Sequence, residues 1–239
     1  MKILAIDTET GSLDHKNGAL LQVAIIPIIH GERKDPFVSY IKPFKRADIQ
    51  DGALKVNGLT REQISKFPEE AEVFQKMLAF IDSHEGPFYM LGQNVEFDRG
   101  FIHEFFKRNS SHMEYVKRFR PELLCTKNKA KELFDKKRNK PANNKLGTLC
   151  EWFSIPLNNA HDALADIAAT VDLWDALTAM EGFKTPSPEL TAEEKRMKYI
   201  QPKYLQINVD GTIFISKDAT ADKQALEIVL AEIHEIFAI

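Results

Sequence analysis

The chain opens with an apolar run that ends in two carboxylates, Ile3-Leu4-Ala5-Ile6-Asp7-Thr8-Glu9. A short run of Ile, Leu and Ala bounded by polar residues is typical of a buried β-strand. Side chains two residues apart in a strand project from the same face of the sheet. We therefore expect Asp7 and Glu9 to converge on one cation at the end of this strand.

Two later segments carry further acids and one histidine. Asp98 closes the segment Gln93-Asn94-Val95-Glu96-Phe97-Asp98, and His161 precedes Asp166 by five residues. Within one helix, that spacing would separate the two side chains by about 140°. His161 is therefore expected in a loop, with Asp166 on the helix that follows. Four carboxylates and a histidine from three segments are what a two-metal site for phosphodiester cleavage requires.

Each of these motifs has a plainer explanation when it is taken alone. An Asp-x-Glu triplet occurs by chance about once in a chain of this length. A single Asp at a helix start is usually a cap, and a loop histidine beside a surface acid is common. The combination of all three segments favours the metal site.

The composition excludes several classes of protein. Of the 239 residues, 44% are hydrophobic and 28% are charged, which is typical of a globular protein with its own core. Cys125 and Cys150 are the two cysteines, too few for a disulfide framework or a cysteine-based zinc site. No apolar run approaches the roughly 20 residues that span a bilayer, and the residues before Asp7 show no signal-peptide pattern. We expect a cytoplasmic protein without membrane contact.

The net charge of −3 gives no overall attraction to nucleic acid, but the charge is unevenly spread. From Lys117 to Lys145 the chain has eleven Lys or Arg residues and three acids, with Phe119 and Phe134 among them. This basic stretch could bind the phosphates of a single strand, or it could be an ordinary solvent-exposed helix face, and the sequence favours neither.

Hydrophobic periodicity predicts an α/β domain with a mixed sheet flanked by helices. The predicted strands are 2–6, 19–29, 37–41 and 88–91, and the predicted helices are 69–82, 98–108, 146–153 and 164–180. A Pro- and Gly-containing segment, 182–188, reads as a linker. We therefore expect one domain over 1–182 and a small α/β appendage over 183–239.

The appendage is predicted to be a helix, a hairpin and a second helix. Thr191-Ala192-Glu193-Glu194 has the spacing of a capping box, and 221–237 has a helical period. Between them, Asp210-Gly211 is a two-residue hairpin signal, with strands at 204–209 and 212–215.

As a set, the acidic motifs resemble those of the DEDDh family, the DnaQ-like 3′→5′ exonucleases of the ribonuclease H-like superfamily. The matching segments are Ile6-Asp7-Thr8-Glu9-Thr10, Gly92-Gln93-Asn94-Val95-Glu96-Phe97-Asp98, and His161-Asp162-Ala163-Leu164-Ala165-Asp166 followed by Ala169-Thr170. Two secondary patterns also look like the family, Val56-Asn57-Gly58-Leu59-Thr60 and Lys145-Leu146-Gly147-Thr148-Leu149-Cys150. The resemblance covers about residues 1–180 and implies a ribonuclease H-like fold.

The resemblance also implies a role for each acid. Asp7, Glu9 and Asp166 would hold a first Mg²⁺ or Mn²⁺, and Asp7 and Asp98 would hold a second. Carboxylate oxygens are the ligands that such hard cations prefer. His161 would take a proton from the attacking water, a task suited to a side chain with a near-neutral pKa.

Contacts with the substrate are predicted from the same motifs. The candidates are Thr8, Thr10, Leu13, Asn94 and Phe97, although core packing explains Phe97 equally well. The chain departs from the family where Gly11-Ser12-Leu13 replaces the usual Thr-Gly-Leu and where Gln93 replaces the usual His. These departures bear on recognition of the strand end and leave the catalytic set intact.

The expected function is a 3′→5′ exonuclease that uses two Mg²⁺ or Mn²⁺ ions and releases nucleoside 5′-monophosphates from single-stranded DNA with a free 3′ end. An exoribonuclease of the same superfamily is the first alternative, because the 2′-hydroxyl contacts cannot be read from the motifs. A proofreading or docking module for a polymerase is the second. In that case residues 185–239 are the candidate contact with a polymerase or another replication protein.

Overall fold

The fold is built around the strand that carries the first two acids. The computed structural model describes residues 1–135, 137–157, 162–180, 205–207 and 213–215. Strand β1 (Lys2–Thr10) pairs antiparallel with β2 (Leu20–Ile29) and parallel with β5 (Phe88–Gly92). Because β1 has a neighbour on each side, its carboxylates lie in the middle of the sheet.

The sheet is mixed and has six strands in the order β3-β2-β1-β5-β6, with β4 also paired to β2. The remaining strands are β3 (Glu32–Arg33), β4 (Phe37–Tyr40) and β6 (Phe119–Cys125), which runs parallel to β5. The predicted strands and the α/β class are confirmed. Strand β6 lies inside the basic stretch and was not predicted.

Helices cover both faces of the sheet. They are α1 (Asp51–Asn57), α2 (Arg61–Ser65), α3 (Glu70–Asp82), α4 (Glu96–Asn109), α5 (His112–Arg118), α6 (Thr126–Phe134), α7 (Leu146–Phe153) and α8 (Ala163–Met180). The four predicted helices are confirmed as α3, α4, α7 and α8. Among the helices that were not predicted, α2 begins with a capping box between Thr60 and Gln63.

The alternation of side chains along β1 determines which helix each residue meets. Leu4 and Ile6 are buried in the core that contains the aromatic side chains of α3 and α4. Ile3 and Ala5 face the opposite core, with residues of α8. Since side chains alternate along a strand, Asp7 is expected on the α8 face and Thr8 on the α4 face.

The chain divides into two compact units, Met1–Phe183 and Lys184–Ile239. In the second unit, β7 (Leu205–Ile207) and β8 (Ile213–Ile215) pair antiparallel, as the hairpin prediction requires. The predicted turn, linker, capping box and terminal helix of the appendage lie outside the described residues. None of the helices described is both long and apolar enough to cross a membrane.

Candidate active site

Three carboxylates from two elements meet at the end of β1. Asp7 and Glu9 come from β1, and Asp166 comes from the first turn of α8. One carboxylate oxygen from each lies within 4.8 Å of the others. Asp7 and Asp166 are partly buried and Glu9 is buried. The side chains that the sequence assigned to one cation are therefore brought together as a set that can hold one.

Contacts across the sheet hold the start of α8 in place. The Asp162 carboxylate caps the helix, because its Oδ1 accepts the Ala165 N–H at 3.1 Å. The buried Gln22 on β2 donates its amide to Asp162 Oδ2 at 3.2 Å and accepts the Ala163 N–H at 3.4 Å. Asp166 is fixed relative to β1 by these bonds, and neither Gln22 nor Asp162 was predicted to contribute.

Asp98 reaches the site from the other face of the sheet. It lies in the first turn of α4, where its side chain is 5% exposed. The Thr8 hydroxyl donates to Asp98 Oδ1 at 2.8 Å. Thr8, a predicted substrate contact, supports the Asp98 carboxylate on the α4 face.

Burial and mutual repulsion raise the pKa values of these acids. The pKa of Asp7 lies well above its ordinary 3.8, first because the carboxylate is buried and then because Asp98 and Asp166 repel its charge. Burial, with repulsion from Asp166 and Asp98, raises the pKa of Glu9 to about 8. Burial raises the pKa of Asp98 to about 7, although the hydrogen bond from Thr8 opposes the shift. A divalent cation would neutralise this repulsion, so the donor set fits a metal ion.

The other predicted substrate contacts are differently placed. Leu13 is 83% exposed on the loop after β1, whereas Thr10 is buried and its hydroxyl donates to the Ser12 carbonyl at 2.9 Å. Phe97 is half-buried and packs at a tilt on Phe101, with ring centroids 5.1 Å apart. The structure thus leaves Leu13 free to meet a ligand, and His161 lies outside the described residues.

Asn94 and Gln93 connect the end of β5 to the basic stretch. Asn94 is exposed, has a left-handed backbone with φ of 103°, and accepts a hydrogen bond from the Lys127 ammonium at 3.2 Å. Gln93 donates its amide to the Asn144 carbonyl at 2.8 Å and accepts from the Thr126 hydroxyl. Sequence patterns gave no signal for these long-range contacts.

The fold and the acidic cluster define a class of protein. A mixed sheet with carboxylates at the end of its central strand, joined by an acid from each flanking helix layer, is the arrangement of ribonuclease H-like nucleases that use metal ions. The exonuclease family model RNase_T matches residues 4–174. The chain therefore belongs to the exonuclease family, and its resemblance to DEDDh, DnaQ-like 3′→5′ exonucleases is confirmed.

Curated relatives come from bacterial replication. DNA polymerase III subunit epsilon of Pasteurella multocida is 25% identical over 242 residues, which cover 90% of this chain and 89% of the relative. The PolC-type DNA polymerase III of Bacillus cereus is 26% identical over 167 residues, which cover 70% of this chain. The match spans 11% of that PolC-type protein.

Solved structures of Exonuclease I share the fold. The E. coli enzyme in complex with a dT13 oligonucleotide has a TM-score of 0.64 and 21% identity, and the match covers 81% of this chain and 45% of that one. The zinc-bound complex of the same enzyme with single-stranded DNA also has a TM-score of 0.64, with 23% identity and coverage of 84% and 45%. The chain spans less than half the length of these neighbours.

Proposed function

We propose that this chain hydrolyses the 3′-terminal phosphodiester of single-stranded DNA through a two-metal site and releases nucleoside 5′-monophosphates. The observation that carries the proposal is the meeting of Asp7, Glu9 and Asp166 within 4.8 Å, with Asp98 close enough to raise the pKa of Asp7. Structural acids on a surface are usually spread apart or paired with bases. A cluster of carboxylates in a partly buried site is suited to bind cations.

The proposed roles follow from the position of each side chain. Asp7, Glu9 and Asp166 would hold one divalent cation, and Asp7 and Asp98 would hold the other. When bound, the two ions stabilise the attacking and leaving oxygens of an in-line displacement. Thr8 favours the ionised form of the Asp98 carboxylate by donating to it.

His161 is proposed as the general base. It takes a proton from the water that attacks the terminal phosphorus, and the bond from phosphorus to the 3′ oxygen of the preceding nucleotide breaks. That oxygen gains a proton from the solvent and becomes the new 3′ hydroxyl of the shortened strand, and His161 returns its proton to the solvent. The exposed Leu13 is proposed to contact the terminal nucleotide, beside Thr10, Asn94 and Phe97.

DNA is the favoured substrate because the relatives are DNA polymerase III proteins and the neighbours include Exonuclease I bound to DNA oligonucleotides. The same relatives support a partnership with a replicative polymerase, for which residues 185–239 are the proposed contact. A replicative partner also implies that the chain acts inside the cell.

A degradation time course tests the proposal. We expect single-stranded DNA labelled at its 5′ end to give a ladder that shortens from the 3′ end with Mg²⁺ or Mn²⁺ and none with a chelator. Asp7→Asn removes the ligand that both ions share, so it should lower the rate by at least about 10³-fold. Asp175→Asn, an exposed acid on the same helix as Asp166, is the matched control and should keep the wild-type rate.

The same experiment separates the alternatives. If RNA of the same sequence is degraded faster than DNA, the chain is an exoribonuclease and the DNA assignment is wrong. Near-native activity of Asp7→Asn in Mg²⁺ would overturn the metal assignment. Binding of either strand without any ladder would favour a docking module.

A further inference from the structure

Two exposed lysines, Lys131 and Lys140, line one cleft of the basic stretch. Elsewhere in the described chain, basic side chains commonly pair with acids, as Lys66 does with Glu62 and Lys76 with Glu72, each at 2.7 Å. Within the described residues, no ion pair to a carboxylate involves Lys131 or Lys140, and both are exposed. Unpaired cations repel one another, so their concentration in one place favours an anionic ligand.

The cations line a defined cleft between α6 and the segment after it. The cleft has a volume of about 250 Å³, and its charged lining residues are Lys131, Lys140 and one carboxylate, Asp135. The amide side chain of Asn143 and the buried Pro141 complete one wall. A groove with two cations and neutral donors suits the phosphate backbone of a single strand, whose contacts are chiefly electrostatic.

The cleft is tied directly to the edge of the sheet that carries the acids. Lys127 and Lys131 are four residues apart and so lie on one face of α6. The Lys127 ammonium donates to the Asn94 side chain, four residues before Asp98 in the chain. Lys127 therefore connects the segment that carries Asp98 to the helix face that carries Lys131, and Lys131 shares the cleft with Lys140.

Gln93 is the link that fixes the far wall of the cleft. It follows the last residue of β5, and its amide donates to the Asn144 carbonyl at 2.8 Å. The Thr126 hydroxyl donates to the side-chain amide oxygen of Gln93 and to the Gly92 backbone carbonyl at 3.3 Å, which holds the Gln93 side chain against the first residue of α6. One side chain thus joins β5, α6 and the segment that carries Lys140.

We propose that this cleft is a second phosphate-binding site for the strand being degraded, several nucleotides on the 5′ side of the scissile bond, and that Gln93 positions it. The inference rests on the proposed function, since it assigns how the same active site grips a longer substrate. Lys131 and Lys140 bind backbone phosphates. Gln93 acts through the Asn144 carbonyl and touches no substrate.

Substrates of different length test the cleft. A p-nitrophenyl ester of thymidine 5′-monophosphate has one phosphodiester and does not reach the cleft, whereas a single strand of about 16 nucleotides does. At about 0.1 M salt each lost phosphate contact should weaken single-strand binding about 5-fold and reduce the slope of log affinity against log salt by about 0.7. The double variant Lys131→Gln/Lys140→Gln should therefore raise KM for the long strand by about 25-fold and leave the ester unchanged.

A matched control removes the same charge elsewhere. The double variant Lys66→Gln/Lys76→Gln changes the residue that follows α2 and a residue on α3, and both lysines are already paired with acids. It should keep the wild-type KM and salt slope for the long strand. Equal losses in the two double variants would show a general charge effect and overturn the cleft as a site.

A double-mutant cycle tests the positioning role. Gln93→Leu removes the amide at similar size, so KM for the long strand should rise while kcat on the ester stays at the wild-type value. In the Lys131→Gln/Lys140→Gln background the same change should have little further effect, because the phosphate contacts are already gone. Additive effects on KM, or a fall in ester kcat with KM unchanged, would refute positioning through the cleft.

These measurements distinguish a failure of the proposed function from a failure of the cleft as a phosphate-binding site. A wild-type protein that cleaves neither ester nor strand would contradict the proposed function. The salt dependence of binding of a 5′-labelled strand, measured by fluorescence anisotropy with Ca²⁺, would still test the cleft without turnover. An active wild type whose lysine variants keep the native KM and salt slope would overturn the cleft alone.

Discussion

Metal binding should be strongly coupled to proton release, because the acids that would bind the ions have raised pKa values. The pKa of Glu9 is about 8, and burial and the neighbouring acids also raise the pKa of Asp7. A cation among these carboxylates requires them in the ionised form. Raising the pH from 6 to 8 should therefore strengthen binding of the first ion, and lowering it should release the ion.

The size of the effect follows from the pKa of Glu9. A carboxyl group with a pKa of about 8 is about 1% ionised at pH 6 and about half ionised at pH 8, so the apparent affinity should rise about 50-fold. Because Asp98 has a pKa of about 7, the apparent affinity for the second ion should rise about 10-fold between pH 6 and pH 8.

Isothermal titration calorimetry with Mn²⁺ measures the affinity for the ions and the number of protons released when they bind. Titrations at pH 6 in two buffers with different ionisation enthalpies should count at least about one proton released for each first-site ion, because Glu9 and Asp7 both have raised pKa values. Glu9→Gln has no proton to lose there, so its weaker binding should depend less on pH. An affinity that is the same at pH 6 and pH 8 would refute the coupling.

The stability of the metal-free protein should also depend on the protonation of Glu9, but it should change with pH in the direction opposite to metal affinity. Since the folded pKa of Glu9 is raised from 4.5 to about 8, the folded state binds the proton more tightly than the unfolded state. The contribution of Glu9 to stability should thus be fully present below about pH 4.5 and be lost as the pH rises to about 8. Divalent ions should raise Tm more at pH 8 than at pH 6, and an equal shift at both would contradict this reasoning.

Two substitutions test the supports of the site and the core. Thr8→Val removes the donor to Asp98, a bond to a charged group worth about 1.5–3 kcal/mol, so the acidic limb of the rate profile should move to higher pH; an unchanged pH profile would rule out this role. Phe74→Ala removes a fully buried ring that packs edge-on against Phe105 and Phe106 and should cost about 3–5 kcal/mol in urea unfolding. A loss below about 1 kcal/mol would show that the core tolerates the cavity.

Local patterns were sufficient to predict the elements that carry the acids. The apolar run before Asp7 and the helical spacing after Asp166 are strong periodic signals, and both elements are present. The two-residue period of a strand placed Asp7 and Glu9 together without any tertiary information. The placement of Thr8 toward Asp98 follows from the same period once the positions of α4 and α8 are known.

The basic stretch shows where local patterns were insufficient. Strand β6 contains Pro121 between the charged side chains of Arg120 and Glu122, so it lacks a clear apolar alternation. It forms because β5 offers it a parallel partner, a contact that no short window of sequence contains. The same holds for the Gln22 contact with Asp162, which joins residues 140 positions apart.

The most direct test of the two-metal site is a crystal structure with Mn²⁺ and a nucleoside 5′-monophosphate, examined by anomalous diffraction. We expect two Mn²⁺ peaks, one among Asp7, Glu9 and Asp166 and the other between Asp7 and Asp98, and neither in Asp7→Asn. An empty carboxylate cluster at saturating Mn²⁺, or Mn²⁺ bound only elsewhere on the chain, would contradict the proposed chemistry.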